Sequence, residues 1–399
     1  MTIYSFGFEN FFSFEAETDV SFVMDKRTSL NDKSFESSVS GERVSKALAI
    51  IGANGSGKTN LIKPLAYMLW FITDSFFANP DSDRHLVRSH IFSENSLIQF
   101  KIEFDADGVR YRYSLIRSAN RVYGESLDKK TSRLWSKVFL RKWDTDAKKY
   151  TVNRKGFGTA QMPLDEAGEE VSLISLAAQY KSKVAVSICN ALRLRATNIT
   201  MFGRNTYYGT TDVYDASTYY SENEAQRSMM ARFLREQDFG VIDISIDSYD
   251  RTEEDGTVSQ HLLPWAVHKR GDKVVKLPLL WESNGTQAAY YLLSKILPLL
   301  ETGGVMIYDE LEGDLHPLMI EPVLDLFFNK RTNPLNAQLI FTTHSIEVVN
   351  QLQKSQVILV EKNDSSSEAW KLSDMEGVRS DDNFYAKYMS GAYGAIPRM

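Results

Sequence analysis

The sequence is poor in cysteine and histidine, and both shortages exclude classes of protein. Cys189 is the single cysteine among 399 residues, so an internal disulfide scaffold is impossible and a reducing cytoplasm is the natural setting. The six histidines are scattered without zinc-type spacing. No basic start followed by an apolar run marks a signal peptide, and the most apolar stretch, residues 65–72, is too short to span a bilayer. We therefore expect a cytoplasmic protein without a membrane segment.

An excess of positive charge is also missing from the chain as a whole. The formal net charge is −6, which argues against a uniformly basic nucleic-acid binder. Residues 112–155 are the exception, with thirteen Lys and Arg against four Asp and Glu. This stretch is either a solvated face of a strand-rich region or a docking face for an acidic partner or a phosphate backbone. Nucleic-acid binding therefore stays open.

What the sequence does contain is a phosphate-binding loop. Residues 52–59 read Gly-Ala-Asn-Gly-Ser-Gly-Lys-Thr and fit the pattern G-x-x-x-x-G-K-[S/T] between an apolar strand pattern and an apolar segment of helical length. Glycines let backbone N–H groups surround phosphates, Lys58 adds a positive charge, and the Thr59 hydroxyl is placed for Mg²⁺. The candidate nucleotide-binding residues are Asn54, Gly55, Ser56, Gly57, Lys58, Thr59 and Asn60.

Two later strand patterns end in residues suited to phosphate chemistry. Residues 304–310 form an apolar run that ends in Asp309 and Glu310, of which the first can hold Mg²⁺ and the second can orient or deprotonate water. Residues 338–345 read as a second buried strand that places His344 at its carboxyl end, within reach of a γ-phosphate. Each pattern alone is common. The functional interpretation rests on their order along the chain, in which the P-loop is followed by Asp-Glu and then by His344.

A third pattern lies shortly before these strands. Ser283, Asn284 and Gly285 precede an apolar run of helical spacing, and a Ser-x-Gly turn at a helix start offers free N–H groups and a hydroxyl to an anion. Such a turn is ordinary on its own. Its position before the Asp-Glu strand makes Ser283 and Gly285 candidates for part of a composite site.

Taken together, these motifs resemble those of ABC-type ATPases, the SMC and RecF branch in particular. The loop at 52–59, Ser283-Asn284-Gly285, Asp309-Glu310, Gly313-Asp314 and His344 correspond in order to the Walker A, signature, Walker B, D-loop and switch histidine. More narrowly, residues 309–317 and 388–397 resemble AAA-type ATPases of the RloA and AbiLi kind, near the ATPase of the PARIS anti-phage system. The motifs cover residues 1–70 and 275–399.

The resemblance implies an α/β fold, an ABC-type P-loop ATPase head with a mixed sheet, an antiparallel β region and a helical insertion. It implies Mg²⁺-dependent ATP hydrolysis, in which Thr59 and Asp309 bind the metal and Glu310 activates water. In this scheme His344 forms a hydrogen bond to the γ-phosphate and senses its loss. The resemblance also implies a homo-oligomer built from head-to-head dimers, in which Ser283 and Gly285 of one copy complete the site of another.

The same resemblance implies anti-phage defence, in which the ATPase responds to a trigger. A separate effector, expected to be a Toprim-like nuclease, then carries out the toxic reaction. Only 55 residues follow His344, too few for an appended nuclease of ordinary size, so we expect the effector to act in trans. The alternatives that stay open are a RecF-like DNA-repair ATPase, a transporter subunit and a nucleotide-gated scaffold without turnover.

The middle of the chain carries weaker signals. Alternating residues 100–104 and 109–115 predict a β-hairpin with a turn at residues 105–108, and the pattern from residue 164 to 234 predicts helices without coiled-coil heptads. We divide the chain into residues 1–160, a helical insertion at 161–240, and residues 241–399. Gln99 and Gln179 are the candidates for a Q-loop glutamine, and Pro64 should kink or tighten the helix after the P-loop.

Overall fold

Two large β-sheets of different kinds, with helices between and around them, make up most of the chain. The computed structural model describes residues 1–25, 31–78, 86–158, 162–163, 167–205, 210–237, 239–252, 258–313 and 315–396, so Asp314 of the predicted D-loop lies outside the described residues. The strands are β1 (Ile3–Glu9), β2 (Thr18–Ser21), β3 (Ser34–Glu36), β4 (Arg43–Ser45), β5 (Ala47–Ile51), β6 (Ile98–Ala106), β7 (Val109–Arg117), β8 (Val122–Thr131), β9 (Leu134–Asp144), β10 (Lys149–Arg154), β11 (Arg195–Thr197), β12 (Ile199–Thr200), β13 (Gly203–Arg204), β14 (Asp243–Thr252), β15 (Val258–Arg270), β16 (Lys273–Pro278), β17 (Val305–Tyr308), β18 (Gln338–Thr342), β19 (Val357–Asn363) and β20 (Ser366–Lys371). The helices are α1 (Lys58–Asp74), α2 (Leu173–Gln179), α3 (Lys183–Leu192), α4 (Thr210–Glu222), α5 (Glu224–Glu236), α6 (Asn284–Thr302), α7 (Ile320–Phe328) and α8 (Phe384–Met389).

The central sheet has the strand order β11-β17-β18-β5-β19-β20, and every neighbouring pair except β19 with β20 is parallel. β5, β17 and β18 are buried along their whole length, as strands covered on both faces should be. Leu48 and Ile50 of β5 enter one apolar core, whereas Ala47, Ala49 and Ile51 enter the other. Because these strands are parallel, the segments after them meet at one edge of the sheet.

The second large sheet is antiparallel, with the order β10-β9-β8-β7-β6-β1-β2. The predicted hairpin is confirmed as β6 and β7, which pair from Ile98 with Arg117 to Ala106 with Val109. Asp107 and Gly108 between them have φ values of 54° and 74°, the left-handed backbone that a two-residue type I′ turn requires. The predicted α/β class, with a mixed sheet and an antiparallel β region, is therefore confirmed.

Helix α1 lies between the two sheets and is buried on every side. Fourteen of its seventeen residues are buried, and it contacts β1 and β6 of the antiparallel sheet as well as β17 and β18 of the central sheet. Pro64, which we expected to disturb the first turns, lies inside a helix that runs without a break from Lys58 to Asp74. No helix in the described part of the chain is long and apolar enough to cross a membrane.

The segment predicted as a helical insertion is only partly helical. It contains α2 to α5, but it also supplies β11, which pairs in parallel with β17 at the edge of the central sheet, and the short hairpin β12–β13. Residues of α2 and α3 enter the core on the α1 side, whereas those of α4 and α5 enter the opposite core with α6. The three-residue strand Arg-Ala-Thr is too short for its periodicity to reveal it. The boundaries at residues 160 and 240 stay a prediction.

A buried polar network joins the antiparallel sheet to the start of α2. The fully buried Glu125 of β8 accepts hydrogen bonds from Tyr113 Oη (2.9 Å), Ser172 Oγ (2.7 Å) and the Leu173 N–H (3.0 Å). Arg141 of β9, also fully buried, lies 3.5 Å from Glu125 Oε2 and donates to three backbone carbonyls. Burial raises the pKa of Glu125, and the Arg141 charge opposes that shift.

Replacing Glu125 by alanine should lower the free energy of unfolding by about 3 kcal/mol or more, because it leaves the Arg141 charge buried without a counter-ion. The matched control is Glu17→Ala, which breaks the exposed pair with Lys101 and should cost less than about 1 kcal/mol. Urea denaturation followed by tryptophan fluorescence measures both. Equal midpoints for the two variants would contradict a structural role for the network.

Candidate functional site

The loop between β5 and α1 is held in a conformation that needs its glycines. Gly55 and Gly57 have φ values of 73° and 110°, in the left-handed region that favours glycine. A Cβ atom on Gly57 would collide with Ser367 Oγ, and one on Gly52 would collide with the carbonyl oxygen of Val360. The loop is therefore packed closely against the β19–β20 side of the sheet, with its backbone free to face a phosphate.

Lys58 starts α1 and turns back over this loop. Its Nζ donates to the carbonyl oxygens of Gly52 (2.9 Å) and Ala53 (3.1 Å). Burial lowers the pKa of Lys58, and the carboxylates of Asp309, Glu310 and Glu312 oppose that shift. The Ser56 hydroxyl is buried without a hydrogen-bond partner among the described residues. The loop thus holds an ammonium group and an unsatisfied hydroxyl close together, as a phosphate site requires.

Asp309 joins four elements through hydrogen bonds. Its carboxylate accepts from Thr59 Oγ1 of α1 (2.9 Å) and from Thr342 Oγ1 of β18 (2.6 Å). Asn198, which follows β11, accepts from the Asp309 N–H (2.8 Å) and donates to its carbonyl oxygen (2.9 Å). The side chain is buried. Asp309 is therefore fixed where the carboxyl ends of β17, β18 and β11 meet the start of α1.

Glu310 points into the open part of the same cleft. Its φ of 53° is unusual for a residue with a side chain and turns the chain sharply after β17, while its N–H donates to Thr342 Oγ1 (2.7 Å). One carboxylate oxygen lies 3.4 Å from His344 Nε2 and the other lies 3.1 Å from Arg204 Nη1. The His344 N–H donates to the carboxylate of Glu312.

The P-loop and the ends of β17 and β18 line one cleft, which has a volume of about 690 Å³. All the residues predicted from the P-loop, together with Asp309, Glu310 and His344, lie in its wall, so the structure brings together residues from both ends of the chain. The remaining lining residues are Lys63, Phe202, Gly203 and Arg204. Lys63 lies 4.3 Å from the centre of the Phe12 ring, and burial lowers its pKa to about 8.

Ser283 and Gly285 are the predicted residues that do not join this cleft. Among the described residues that line it, neither is present. Ser283 instead caps α6, where its Oγ accepts from the Thr286 N–H (3.2 Å), and it is exposed. The neighbouring Glu282 is anchored to β15 by His268 Nε2 (2.7 Å). The turn is therefore built as a fixed, outward-facing helix start.

Neither candidate Q-loop glutamine lies in this cleft, and the identity of the Q-loop residue stays a prediction. Gln99 donates to Glu9 on the outer face of the antiparallel sheet, and Gln179 ends α2; neither lines the cleft in the described structure. Asn198, beside Asp309, and Arg204, against Glu310, are the polar residues that approach the site from the middle of the chain. Asn198 follows the three-residue strand β11, and Arg204 ends the two-residue strand β13. Neither strand carries a motif, so the only signal available was the alternation of apolar residues around 199–201.

Two acceptor types in the cleft fit a hard divalent cation. The Thr59 hydroxyl and the Asp309 carboxylate are adjacent and open toward the loop, which leaves the remaining positions for phosphate and water oxygens, the arrangement that Mg²⁺ prefers. No group of three or more His, Cys, Asp and Glu in the described ranges is arranged to hold a metal by itself. The donor set thus fits a metal that arrives with a nucleotide.

The basic stretch at residues 112–155 is less available than its charge count suggests. Arg117 and Arg141 are fully buried. Three more of its cations lie in ion pairs along the outer surface: Arg112 with Glu103, Arg121 with Glu169, and Lys137 with Asp128. These five of the thirteen cations are internal or already paired, so the charge count overstates what the stretch offers to a nucleic acid.

Comparison with known proteins gives one family. Residues 48–350 match the family model described as "AAA domain, putative AbiEii toxin, Type IV TA system". No curated protein shows a significant match.

Among solved structures, the chain is similar to three SMC heads. The first is an SMC head bound to the C-terminal winged-helix domain of ScpA, at 14% identity over 93% of this chain and 97% of that chain, with a TM-score of 0.45. The SMC head domain from Thermotoga maritima is 13% identical over 93% of this chain and 99% of that chain, with a TM-score of 0.45. The Pyrococcus furiosus Smc head with an extended coiled coil, bound to the C-terminal domain of ScpA, is 12% identical over 93% of this chain and 96% of that chain, with a TM-score of 0.42.

Proposed function

Because the chain belongs to this family of AAA-domain P-loop ATPases, we propose that it binds and hydrolyses ATP with Mg²⁺ and thereby controls a separate effector in defence. The observation that carries the proposal is the convergence of Lys58, Thr59, Asp309, Glu310 and His344 on one cleft. A phosphate cradle, a metal position, a carboxylate base and a histidine are the parts that phosphoryl transfer to water needs.

Each residue has a task that its contacts support. Lys58 exchanges the carbonyls of Gly52 and Ala53 for the phosphate oxygens of ATP. Thr59 and Asp309 would hold Mg²⁺, which, when bound, neutralises charge on the β- and γ-phosphates.

The other two residues act on the attacking water and on the γ-phosphate. Glu310 accepts the proton of that water, and His344, beside it, donates to the γ-phosphate. Thr342 and Asn198 keep Asp309 and the backbone of Glu310 in place.

The exposed turn at Ser283 supports a composite site between two copies. The helix start of α6 carries free N–H groups and a hydroxyl, and it faces outward instead of toward the cleft of its own chain. Two heads that close face to face would each supply Ser283 and Gly285 to the ATP of the other. Closure would then require ATP, and opening would follow hydrolysis.

The proposed role in defence has its support in the family description, which names a toxin of a type IV toxin–antitoxin system. The sequence resemblance supports the same role. ATP-driven closure of the heads responds to a trigger, such as a phage protein, and controls a partner in trans, a Toprim-like nuclease. The paired and buried cations at residues 112–155 favour this proposal over a RecF-like ATPase that acts directly on DNA.

Glu310→Gln should abolish ATP turnover while ATP binding is retained, because the amide cannot accept the proton of the attacking water. Lys58→Ala should lose binding itself. Phosphate release and isothermal titration with Mg²⁺-ATP distinguish the two effects. Glu347→Gln, on an exposed turn after His344, is the matched control and should behave as the parent. Unchanged turnover in Glu310→Gln would refute the assignment of the base.

An equimolar mixture of Lys58→Ala and Ser283→Arg chains should recover ATPase activity that neither variant has alone. Half of the dimers would be mixed, and each would contain one intact composite site, so about a quarter of the parental rate is expected. Circular dichroism of each variant checks that it is folded. Full activity of Ser283→Arg alone, or no recovery from two folded variants, would exclude the composite site.

Affinity capture of Glu310→Gln from its native cells with ATP should recover one dominant protein partner, because the heads stay closed. The capture should fail when Lys58→Ala is added. Mass spectrometry and a nucleic-acid assay of the eluate identify what is bound. Nucleic acid without a protein partner would contradict control of an effector in trans and would support the RecF-like alternative.

A further inference from the structure

A short hairpin closes one side of the ATP cleft. β12 and β13 have two residues each, and Phe202 in the turn between them is 72% exposed. Gly203 has a φ of 131°. Phe202, Gly203 and Arg204 all line the cleft opposite the P-loop. Ile199 and Met201 anchor the hairpin in the core beside α1, so the cleft-facing side chains are the part of it that can move at low cost.

Arg204 is the charged residue of the hairpin and contacts the proposed base. Its Nη1 lies 3.1 Å from Glu310 Oε2, and its side chain is only 18% exposed. The guanidinium also rests on Gly313, where a Cβ atom would collide with Nη1. Glu310 is thus held from two sides, by Arg204 and by His344. Each carboxylate oxygen of Glu310 therefore already faces a side chain, Arg204 on one side and His344 on the other, instead of a water molecule.

On the premise of the proposed ATPase function, we propose that Arg204 is a catalytic residue that leaves Glu310 for the γ-phosphate when ATP binds. A partly exposed pair with a carboxylate is weak, whereas a phosphate offers more negative charge and accepts the planar guanidinium through two hydrogen bonds. Arg204 lines the same cleft as Lys58 and Thr59, so the exchange needs only a movement of its long side chain.

The exchange couples two effects at one residue. Without ATP, Arg204 is paired with the Glu310 carboxylate and keeps that carboxylate from contacting a water molecule. With ATP, Arg204 stabilises the charge that grows on the γ-phosphoryl oxygens, and Glu310 becomes free to accept a proton from water. The water oxygen then bonds to the γ-phosphorus, the bond to the β–γ bridging oxygen breaks, and its electron pair leaves with ADP.

Arg204→Ala should lower the single-turnover rate of ATP hydrolysis by about 100-fold, because one preorganised cation at the reacting phosphate is lost. The Kd for ATP should change by less than about threefold, since Lys58 and the loop remain. Affinity for ADP with orthovanadate, which mimics the transferring phosphoryl group, should fall with the rate. Arg204→Lys should recover little, since it keeps the charge but not the planar fork.

The control is Arg112→Ala, which removes a strand arginine paired with Glu103 and should leave all three values unchanged. An Arg204→Ala rate equal to that of the parent, or equal losses of ATP and vanadate affinity, would overturn the proposal. If the parent shows no Lys58-dependent ATP binding, the proposed function itself fails, whatever Arg204 does.

Gly313→Ala tests the restraint on Glu310 separately. The added methyl displaces the end of the Arg204 side chain without removing a charge, so ATP turnover should rise a few-fold through release of Glu310. In the Arg204→Ala background the rise should disappear, because the side chain that the methyl displaces is gone and only the contact with the Glu310 carbonyl oxygen remains. An identical effect in both backgrounds would show that Arg204 does not restrain Glu310.

Discussion

The buried carboxylate of Asp309 is the constraint on which the site depends. Hydroxyls from α1 and β18 bond to it, and Asn198 bonds to its backbone on both sides. Each of these partners comes from a different part of the chain, so the side chain and backbone of Asp309 are all hydrogen-bonded only when the N-terminal loop, the middle segment and the C-terminal strands are in place. A buried carboxylate without such partners is costly. The fold and the catalytic edge therefore form together.

The sequence predicted the parts of this arrangement that are contiguous and patterned. The P-loop between strand and helix, Asp309-Glu310 after an apolar run and His344 after another could be read because a buried parallel strand is a continuous apolar segment, and its carboxyl end is where ligands gather. The hairpin of β6 and β7 was equally visible, since alternation and an Asp-Gly turn are local signals.

The parts that the sequence did not reveal depend on contacts between distant residues. Asn198 follows the three-residue strand β11 and Arg204 ends the two-residue strand β13, and strands this short have no measurable period. The importance of both residues comes only from Asp309 and Glu310, more than a hundred residues later. The basic stretch at residues 112–155 is a second case in which the sequence alone could not show the surroundings of a residue. Arg117 and Arg141 count as surface charge in a composition, yet both are buried, and only the fold shows that Tyr67, Glu125 and backbone carbonyls surround them.

Helix α1 has a consequence for how the protein is made. An ordinary amphipathic helix needs one apolar surface to cover it, but α1 is buried all round, and its cover comes from β6 on one side and from β17 and β18 on the other. During synthesis it leaves the ribosome long before β18 exists. This apolar helix therefore stays in solvent or in non-native contacts for most of translation, and the chain is exposed to aggregation until its last parallel strands are synthesised.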